Sequence, residues 1–405
     1  MSEIVVKRVT TKKDKKEFIM LPWSLYKGDP FWVPPLISEM KDTLNPAKNA
    51  LLNLGPYAWF LAYKDGKLAA RLGVGADDRL NKAKNRREGY FTLFECINDF
   101  GVAKAIFDEA LKWLVEQGYD TVTGPQSPSN GDDYRGLLIK GFGSSPVLMD
   151  SYNPMYYANF LEKYGFTKQF DRLAFFYDLR NNVTERFERG VEYAMKRYQF
   201  HCVPLNKKKI DEALKAVKQI IDESHPEWPD MIPPSWEEVH AEANKLVQLA
   251  DPELVWFART NADNRPIGFI LAMPDYNQVL KRMNGRMFPT GAIKFIWYKR
   301  RITGARSFVM FVSPDYQKKG VSGALYLHGL RAALAKGYVY GEGGTIHEFN
   351  EKMVRDAIGA GGDQYKTYRV YIKKLVPASQ SAAAGSDSQT AADAGASAST
   401  SASNA

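Results

Sequence analysis

The stretch SPDYQKKGVSGALYLHGL, residues 313–330, follows the alternating apolar run RSFVMFV (306–312) and opens a segment whose apolar residues recur at helical spacing. Gln317, Lys318, Lys319, Gly320, Val321, Ser322 and Gly323 thus bring small residues and two cations to a helix start. Unpaired backbone N–H groups and the positive end of the helix dipole converge there, which suits an anion. Glycine at 320 lets the backbone approach a diphosphate, and Lys318 and Lys319 add charge for outlying phosphates. The plain alternative is a solvated turn with a glycine near a helix start.

The elements around this loop occur twice. In the second half, LVWFART (254–260) and RPIGFILAM (265–273) pair around the turn NADN, and RSFVMFV is the next strand. The helix GVSGALYLHGLRAALAKG (320–337) follows, then GTIHEFN (344–350), a short helix and YRVYIKKL (368–375). In the first half, AWFLAYKDGKLAARLGVG (58–75) reads as a hairpin around Asp65-Gly66, and GYFTLFECI (89–97) as a strand. The helix GVAKAIFDEALKWLVEQG (101–118) follows, then the short strand DTVTGP, YYANFLEKYGF and RLAFFYDL. Two antiparallel strands, a strand, a loop, a crossover helix, a strand, a helix and a last strand make an α+β unit with a mixed sheet. We expect one unit over 1–180, a second over 181–376, and a disordered Ser/Ala-rich tail over 377–405.

Composition excludes several classes. Across 405 residues, 45% are hydrophobic, 25% charged and 13% aromatic, which is the profile of a globular protein rather than a disordered, collagenous or disulfide-stapled one. Cys96 and Cys202 each sit in an apolar strand-like stretch, and the expected compartment is reducing. The N-terminus lacks a signal-peptide core and no window reaches the length of a membrane span, so the expected location is cytoplasmic, with peripheral contact at the inner membrane. The five histidines and two cysteines show no metal-ligand spacing. A net charge of +9 favours an anionic partner, and no recognised nucleic-acid module accompanies it.

The loop 317–322 resembles the signature of the GNAT N-acetyltransferase superfamily: Gln or Arg, two residues, Gly, one residue, then Gly or Ala. Ser322 stands in place of the last small residue. In that family the loop amides hold the coenzyme A diphosphate, so the resemblance implies tandem GNAT-like modules and an acyl-CoA co-substrate. The first half looks like a degenerate copy, because Asn98 replaces the Gln or Arg and Asp99 puts a negative charge where phosphates would sit. It is expected to scaffold, or to shape the acceptor pocket, without holding CoA. The segments DPFWVPPL (29–36), GPQSPSNGDDYRGLLIKGF (124–142), NPMYYANFLEKYGF (153–166), NGRMFP (284–289) and TIHEFN (345–350) are similar to a group of bacterial two-module acyltransferase-like proteins. Some relatives of that type are associated with ceramide synthesis by N-acylation of a long-chain amino alcohol.

Acyl transfer from a thioester to an amine needs a neutral amine, a donor to the developing oxyanion and a proton for the leaving thiolate. The resemblance implies that a backbone N–H at Phe311, Val312 or Ser313 polarises the thioester. Strand alternation places Glu348 and Asn350 on one face, with His347 and Thr345 on the other. Glu348 is the first choice of base and His347 its rival, while a structural Glu capping the next helix and a packed strand His are the bland readings. The family tyrosine that protonates the thiolate has no match, since Ala357 stands there; Tyr365 or Tyr368 can substitute, or can simply pack in the sheet. Asn130, Asp133, Tyr156 and Tyr157 gather polar and aromatic groups suited to an acceptor site, although turn chemistry explains Asn130 and Asp133 equally well.

Between Tyr276 and Pro314 there is no Asp or Glu. Over 281–306, Lys281, Arg282, Arg286, Lys294, Lys299, Arg300, Arg301 and Arg306 alternate with aromatic and apolar residues. That pattern fits an anionic bilayer surface, a CoA rim or a solvated basic face. The expected activity is acyl-CoA-dependent N-acylation of a long-chain or lipid-like amine at the membrane surface. The alternatives are acetylation of a small soluble amine, or CoA and lipid binding without turnover.

Overall fold

The computed structural model describes residues 2–129, 133–181, 185–224, 231–246 and 249–375, with 241–245 described by their backbone alone. Asn130 and the tail from 376 onward lie outside the described residues. The strands in chain order are β1 Ile4–Arg8, β2 Tyr57–Lys64, β3 Lys67–Ala76, β4 Glu88–Cys96, β5 Thr121–Gly124, β6 Leu137–Lys140 and β7 Thr167–Asp178. There follow β8 Phe200–Pro204, β9 Val255–Thr260, β10 Pro266–Pro274, β11 Gly304–Val312, β12 Tyr340–His347 and β13 Asp363–Lys374.

Local chemistry makes the hairpins. Asp65 and Gly66 both take positive φ, 50° and 74°, which matches the twist a two-residue turn must carry, and Lys64 lies opposite Lys67. β4 runs parallel to β5 and β11 parallel to β12, and each pair is joined by a crossover helix, Phe100–Glu116 or Val321–Ala335. The first helix buries Val102, Ile106, Phe107, Ala110 and Leu114 beneath β2–β4.

Among the described residues all strands belong to one 13-stranded sheet in the order β1-β2-β3-β4-β5-β13-β7-β12-β11-β10-β9-β8, with β6 paired to β13 off this path. The two halves therefore exchange their last strands. β13 pairs antiparallel with β5, Tyr371 opposite Gly124, while β7 pairs antiparallel with β12, His347 opposite Arg172. The cores follow the exchange. Tyr371 and Leu375 pack with Phe91 and Phe107 of the first half, and Phe175, Tyr177 and Leu179 pack with Met273, Val279 and Leu330 of the second. Each fully buried ring of this kind contributes about 2–3 kcal/mol of apolar burial.

Cys96 and Cys202 are both free thiols, on strands distant in the sheet order. Among the described residues no helix is long and apolar enough to cross a membrane.

Because each half lacks its own last strand, chemical denaturation is expected to unfold both halves in one transition. Hydrogen exchange at Val122 in the first half and Phe269 in the second should report the same opening free energy. Two separated transitions would contradict the exchange.

Candidate functional site

The parallel pair β11–β12 is zipped only from Gly304–Tyr340 to Ser307–Gly343. Beyond that point β11 continues against β10 alone, and β12, after an irregularity between Gly343 and Ile346, continues against β7. A gap opens between the two strands. The Ser313 amide donates to the Ile267 carbonyl at 2.9 Å, so by antiparallel alternation the neighbouring Val312 N–H points away from β10 and into the gap. Of the three candidate thioester donors, Val312 has the free direction and Ser313 is committed. The buried Ser313 hydroxyl donates to Glu223 at 2.7 Å.

The loop after β11 leads to the helix start anticipated from the sequence. Gly320 is the N-cap residue in the left-handed region, φ +79°, and among the described residues no side chain caps the helix. The first intrahelical bond is Ala324 N–H to the Gly320 carbonyl, at 3.0 Å. Among the described residues the amides of Val321, Ser322 and Gly323 have no acceptor, as expected for an uncapped first turn. Beside them lies a groove of about 410 Å³ lined by Arg186, Phe187, Gly190, Val191, Gly320 and Gly323. A Cβ at Gly320 would come within 2.6 Å of the Ala194 Cβ, so only glycine closes this corner. Lys319 sits over the Tyr316 and Tyr198 rings at 4.8 and 5.8 Å, and Lys318 takes φ +63° in the loop. Gln317 ties the loop together, donating to the Val312 carbonyl at 3.4 Å and accepting from Lys352 at 3.3 Å. Open amides, a glycine corner and nearby cations are the features that anion binding at a helix start calls for.

The first half has the same geometry with its donors already occupied. Ile97 N–H donates to Ala69 as Ser313 does to Ile267, which makes Cys96 the counterpart of Val312. The Cys96 amide donates to the Tyr157 hydroxyl at 2.7 Å, and that hydroxyl donates to Glu95 at 2.9 Å. At the helix start, the Asp99 carboxylate accepts from Gly101 N–H at 2.8 Å and Val102 N–H at 3.3 Å. Asp99 is also ion-paired with Lys64 at 2.5 Å, whose ammonium holds its carboxyl below the usual range. A tyrosine hydroxyl and a carboxylate thus stand where the second half leaves open amides. Tyr156 and Tyr157 belong to this filled gap rather than to a free pocket: Tyr157 is fully buried, and Tyr156 donates to the Cys96 carbonyl at 2.8 Å.

The other sequence candidates are dispersed. β12 ends at His347, so the alternation assumed through residue 350 does not hold. Glu348 accepts from the Asp171 amide at 2.8 Å and pairs with Lys168 at 2.7 Å, which turns its carboxylate toward β7 and away from the gap. His347 is buried and stacked on Phe170, ring centroids 4.2 Å apart, with Nδ1 accepting from Phe349 N–H. Asn350 caps the helix Glu351–Gly359 by accepting from Met353 N–H at 3.2 Å. Asp133 accepts from the Ser127 and Ser129 hydroxyls at 2.9 and 3.2 Å, within its own turn.

Tyr365 and Tyr368 reach a polar cluster that the sequence reading missed. One pair before the end of the zipped register, Arg306 lies opposite Glu342, and both side chains are buried. The Tyr365 hydroxyl donates to Glu342 Oε2. Arg306 Nη2 lies 2.7 Å from Asp150 Oδ1, and the Tyr368 hydroxyl donates to Asp150 Oδ2 at 3.2 Å. Burial first, and the Asp150 charge second, push the Glu342 carboxyl well above the usual carboxylate range. The signal available in the sequence was a lone carboxylate among glycines, YGEGG at 340–344.

Residues 215–355 match the family model described as "Acetyltransferase (GNAT) family". Over 380 residues the chain is 27% identical to "Protein YghO" of Escherichia coli (strain K12), covering 92% of this chain and 95% of that protein. Over 389 residues it is 28% identical to "Bacterial ceramide synthase" of Caulobacter vibrioides (strain NA1000 / CB15N), covering 92% and 98%. Among solved structures it is similar to a "Tandem GNAT protein from the clavulanic acid biosynthesis pathway (without AcCoA)", with TM-score 0.58 and 12% identity. That match covers 93% of this chain and all of that one.

Gly320→Val should weaken binding of a CoA derivative about tenfold or more in calorimetry, since a branched side chain must both adopt a left-handed φ and displace Ala194. Asp99→Ala should lower stability by about 1 kcal/mol through the lost cap and leave that affinity unchanged. Equal affinity in Gly320→Val, or loss in Asp99→Ala, would contradict the assignment of the cradle to the second half.

Proposed function

Starting from a chain that belongs to the GNAT N-acyltransferase superfamily and has its tandem architecture, we propose that it transfers an acyl group from CoA to a long-chain amine at a membrane surface. The observation that carries the reading is the contrast between halves: open amides at Val312 and Val321–Gly323, against amides occupied by Tyr157 and Asp99. In this reading the half 181–376 holds acyl-CoA, with Val321, Ser322 and Gly323 on the diphosphate and Val312 N–H on the thioester carbonyl. The half 1–180 scaffolds it.

The chemistry asked of the chain is modest. An N–H aimed at the thioester oxygen stabilises the oxyanion as the amine attacks, which elsewhere contributes about 3–4 kcal/mol to the barrier. The gap orients the thioester edge-on to an acceptor, and the fold calls for no covalent enzyme intermediate.

A lipid-like acceptor is supported by one surface. The helix Gly291–Lys299 and the turn before it leave Phe288 80%, Ile293 69%, Ile296 66% and Trp297 59% exposed. Lys294, Lys299, Arg300 and Arg301 surround them with no acidic residue in the segment, and Arg301 lies over the Trp297 ring at 5.2 Å. Apolar groups at the acyl boundary with cations at the headgroups describe an interfacial helix. The "Bacterial ceramide synthase" relative is named for a product of amine acylation on a lipid, which agrees with this acceptor class.

Two measurements test the reading. Palmitoyl-CoA with sphinganine should release free thiol in step with amide formed, whereas turnover restricted to small polar amines would contradict the lipid acceptor. Replacing Lys299, Arg300 and Arg301 by Gln should weaken co-sedimentation with anionic vesicles roughly 100-fold, at about 1 kcal/mol per cation. Undiminished co-sedimentation would remove the membrane from the proposal.

A further inference from the structure

The helix Glu185–Tyr198 stands outside the repeated order of elements and is laid along the crossover helix of the second half. Phe187 and Val191 join the cluster formed by Val321, Ala324 and Leu325, and Glu188 pairs with Arg331 at 2.9 Å. Seams between helices normally interlock large side chains. Toward the start of Val321–Ala335 this seam is built of small ones instead. Ala194 meets Gly320, and a Cβ at Gly323 would lie 3.7 Å from both Phe187 and Val191. A Cβ at Gly190 would meet nothing within 4 Å.

Glycine inside a helix disfavours that helix, and what Gly190 returns is room. The groove of about 410 Å³ lies there, and small-molecule sites run from about 300 to 1,000 Å³. Arg186 stands at its rim, one turn before Gly190 on the same helix face, and among the described residues it makes no ion pair. The matching helix start in the first half has no such room. A Cβ at Gly101 would stand 3.1 Å from the Asp99 carboxylate and 3.7 Å from Ile4.

A solvated arginine beside a packing defect is the plain alternative, and the groove's place in the fold argues against it. The helix Val321–Ala335 packs across β11, β10 and β9, with the gap on the β12 side of β11 and the helix Glu185–Tyr198 beyond it toward β8. The amides of Val321, Ser322 and Gly323 therefore stand between the gap and the groove. A diphosphate on those amides carries two substituents. One must run into the gap to bring the thioester to Val312, and the other leaves on the groove side.

We propose that the groove takes the 3′-phosphoadenosine of the acyl-CoA, with the base over Gly190 against Phe187 and Val191 and the 3′-phosphate on the Arg186 guanidinium. The inference rests on the acyl-CoA reading above. Arginine's planar fork suits a phosphate, and the apolar wall suits the face of a purine. Selection of a nucleotide-bearing donor thus falls to a helix outside the repeated unit. A thioester carried on a pantetheine arm without the nucleotide lacks these contacts. Arg186 is a specificity residue and touches no reacting atom.

The test titrates the full chain calorimetrically with CoA and with dephospho-CoA, which lacks only the 3′-phosphate. Wild type should bind CoA about tenfold more tightly, as one charge-assisted hydrogen bond to phosphate provides. Arg186→Gln should fall about tenfold for CoA and stay within about twofold for dephospho-CoA. Gly190→Leu fills the groove with a better helix former, so its Tm should hold or rise while affinity for both ligands falls about tenfold or more. A wild type without preference, an equal loss for both ligands in Arg186→Gln, or Gly190→Leu binding both as wild type does would overturn the groove assignment and leave acyl transfer standing. Loss of the preference in Lys352→Gln rather than Arg186→Gln would do the same, by placing the nucleotide on the other flank of the loop. A wild type with affinity for neither ligand would overturn the acyl-CoA reading itself.

Discussion

Backbone donors at the parting of two parallel strands must be satisfied by something, and the two halves of this chain meet that requirement differently. In the first half, Tyr157 accepts from the Cys96 amide and Asp99 accepts from the first amides of the following helix. In the second, the amide of Val312 faces a gap and those of Val321–Gly323 face a groove. Open donors at matching positions are what the proposed acyl-CoA would satisfy. The first half shows what such a ligand must supply, an oxygen at the strand end and an anion at the helix start.

The exchange of β7 and β13 explains why both halves are kept although, among the described residues, the open donors lie in the second alone. Since β13 pairs with β5 and β7 with β12, neither half has a complete sheet alone. The same exchange carries Tyr365, Lys366 and Tyr368 against the segment containing Asp150, so the polar cluster at the gap apex exists only when both halves are present. The insertion between β10 and β11 adds a second bridge, through Trp23 to Asn284 at 3.1 Å and Lys281 to Ser145 at 2.9 Å. The exposed helix Gly291–Lys299 is therefore held against a body built from both halves.

Much of this was legible in the sequence. Asp65-Gly66 announced its hairpin, the periodicity at 101–118 and 320–337 its helices, and Gly320 a small residue at a helix start, because each is a local property of a few residues. The missing acids between 276 and 314 announced the cationic surface. Strand order was not legible, since β7 and β13 read as ordinary last strands and nothing local says which neighbour they choose. Register failed for a related reason. The irregularity between Gly343 and Ile346 and the strand end at His347 break the alternation on which Glu348 was preferred, and Glu342 was hidden in a glycine run with no alternating pattern.

The most direct measurement of the account is a crystal structure of the full chain with a non-hydrolysable acyl-CoA. The expected result is one molecule per chain, its diphosphate on the amides of Val321–Gly323 and its carbonyl within hydrogen-bond distance of Val312 N–H. A diphosphate bound at the Asp99 end of the first half, or no ordered molecule in the gap between β11 and β12, would contradict it.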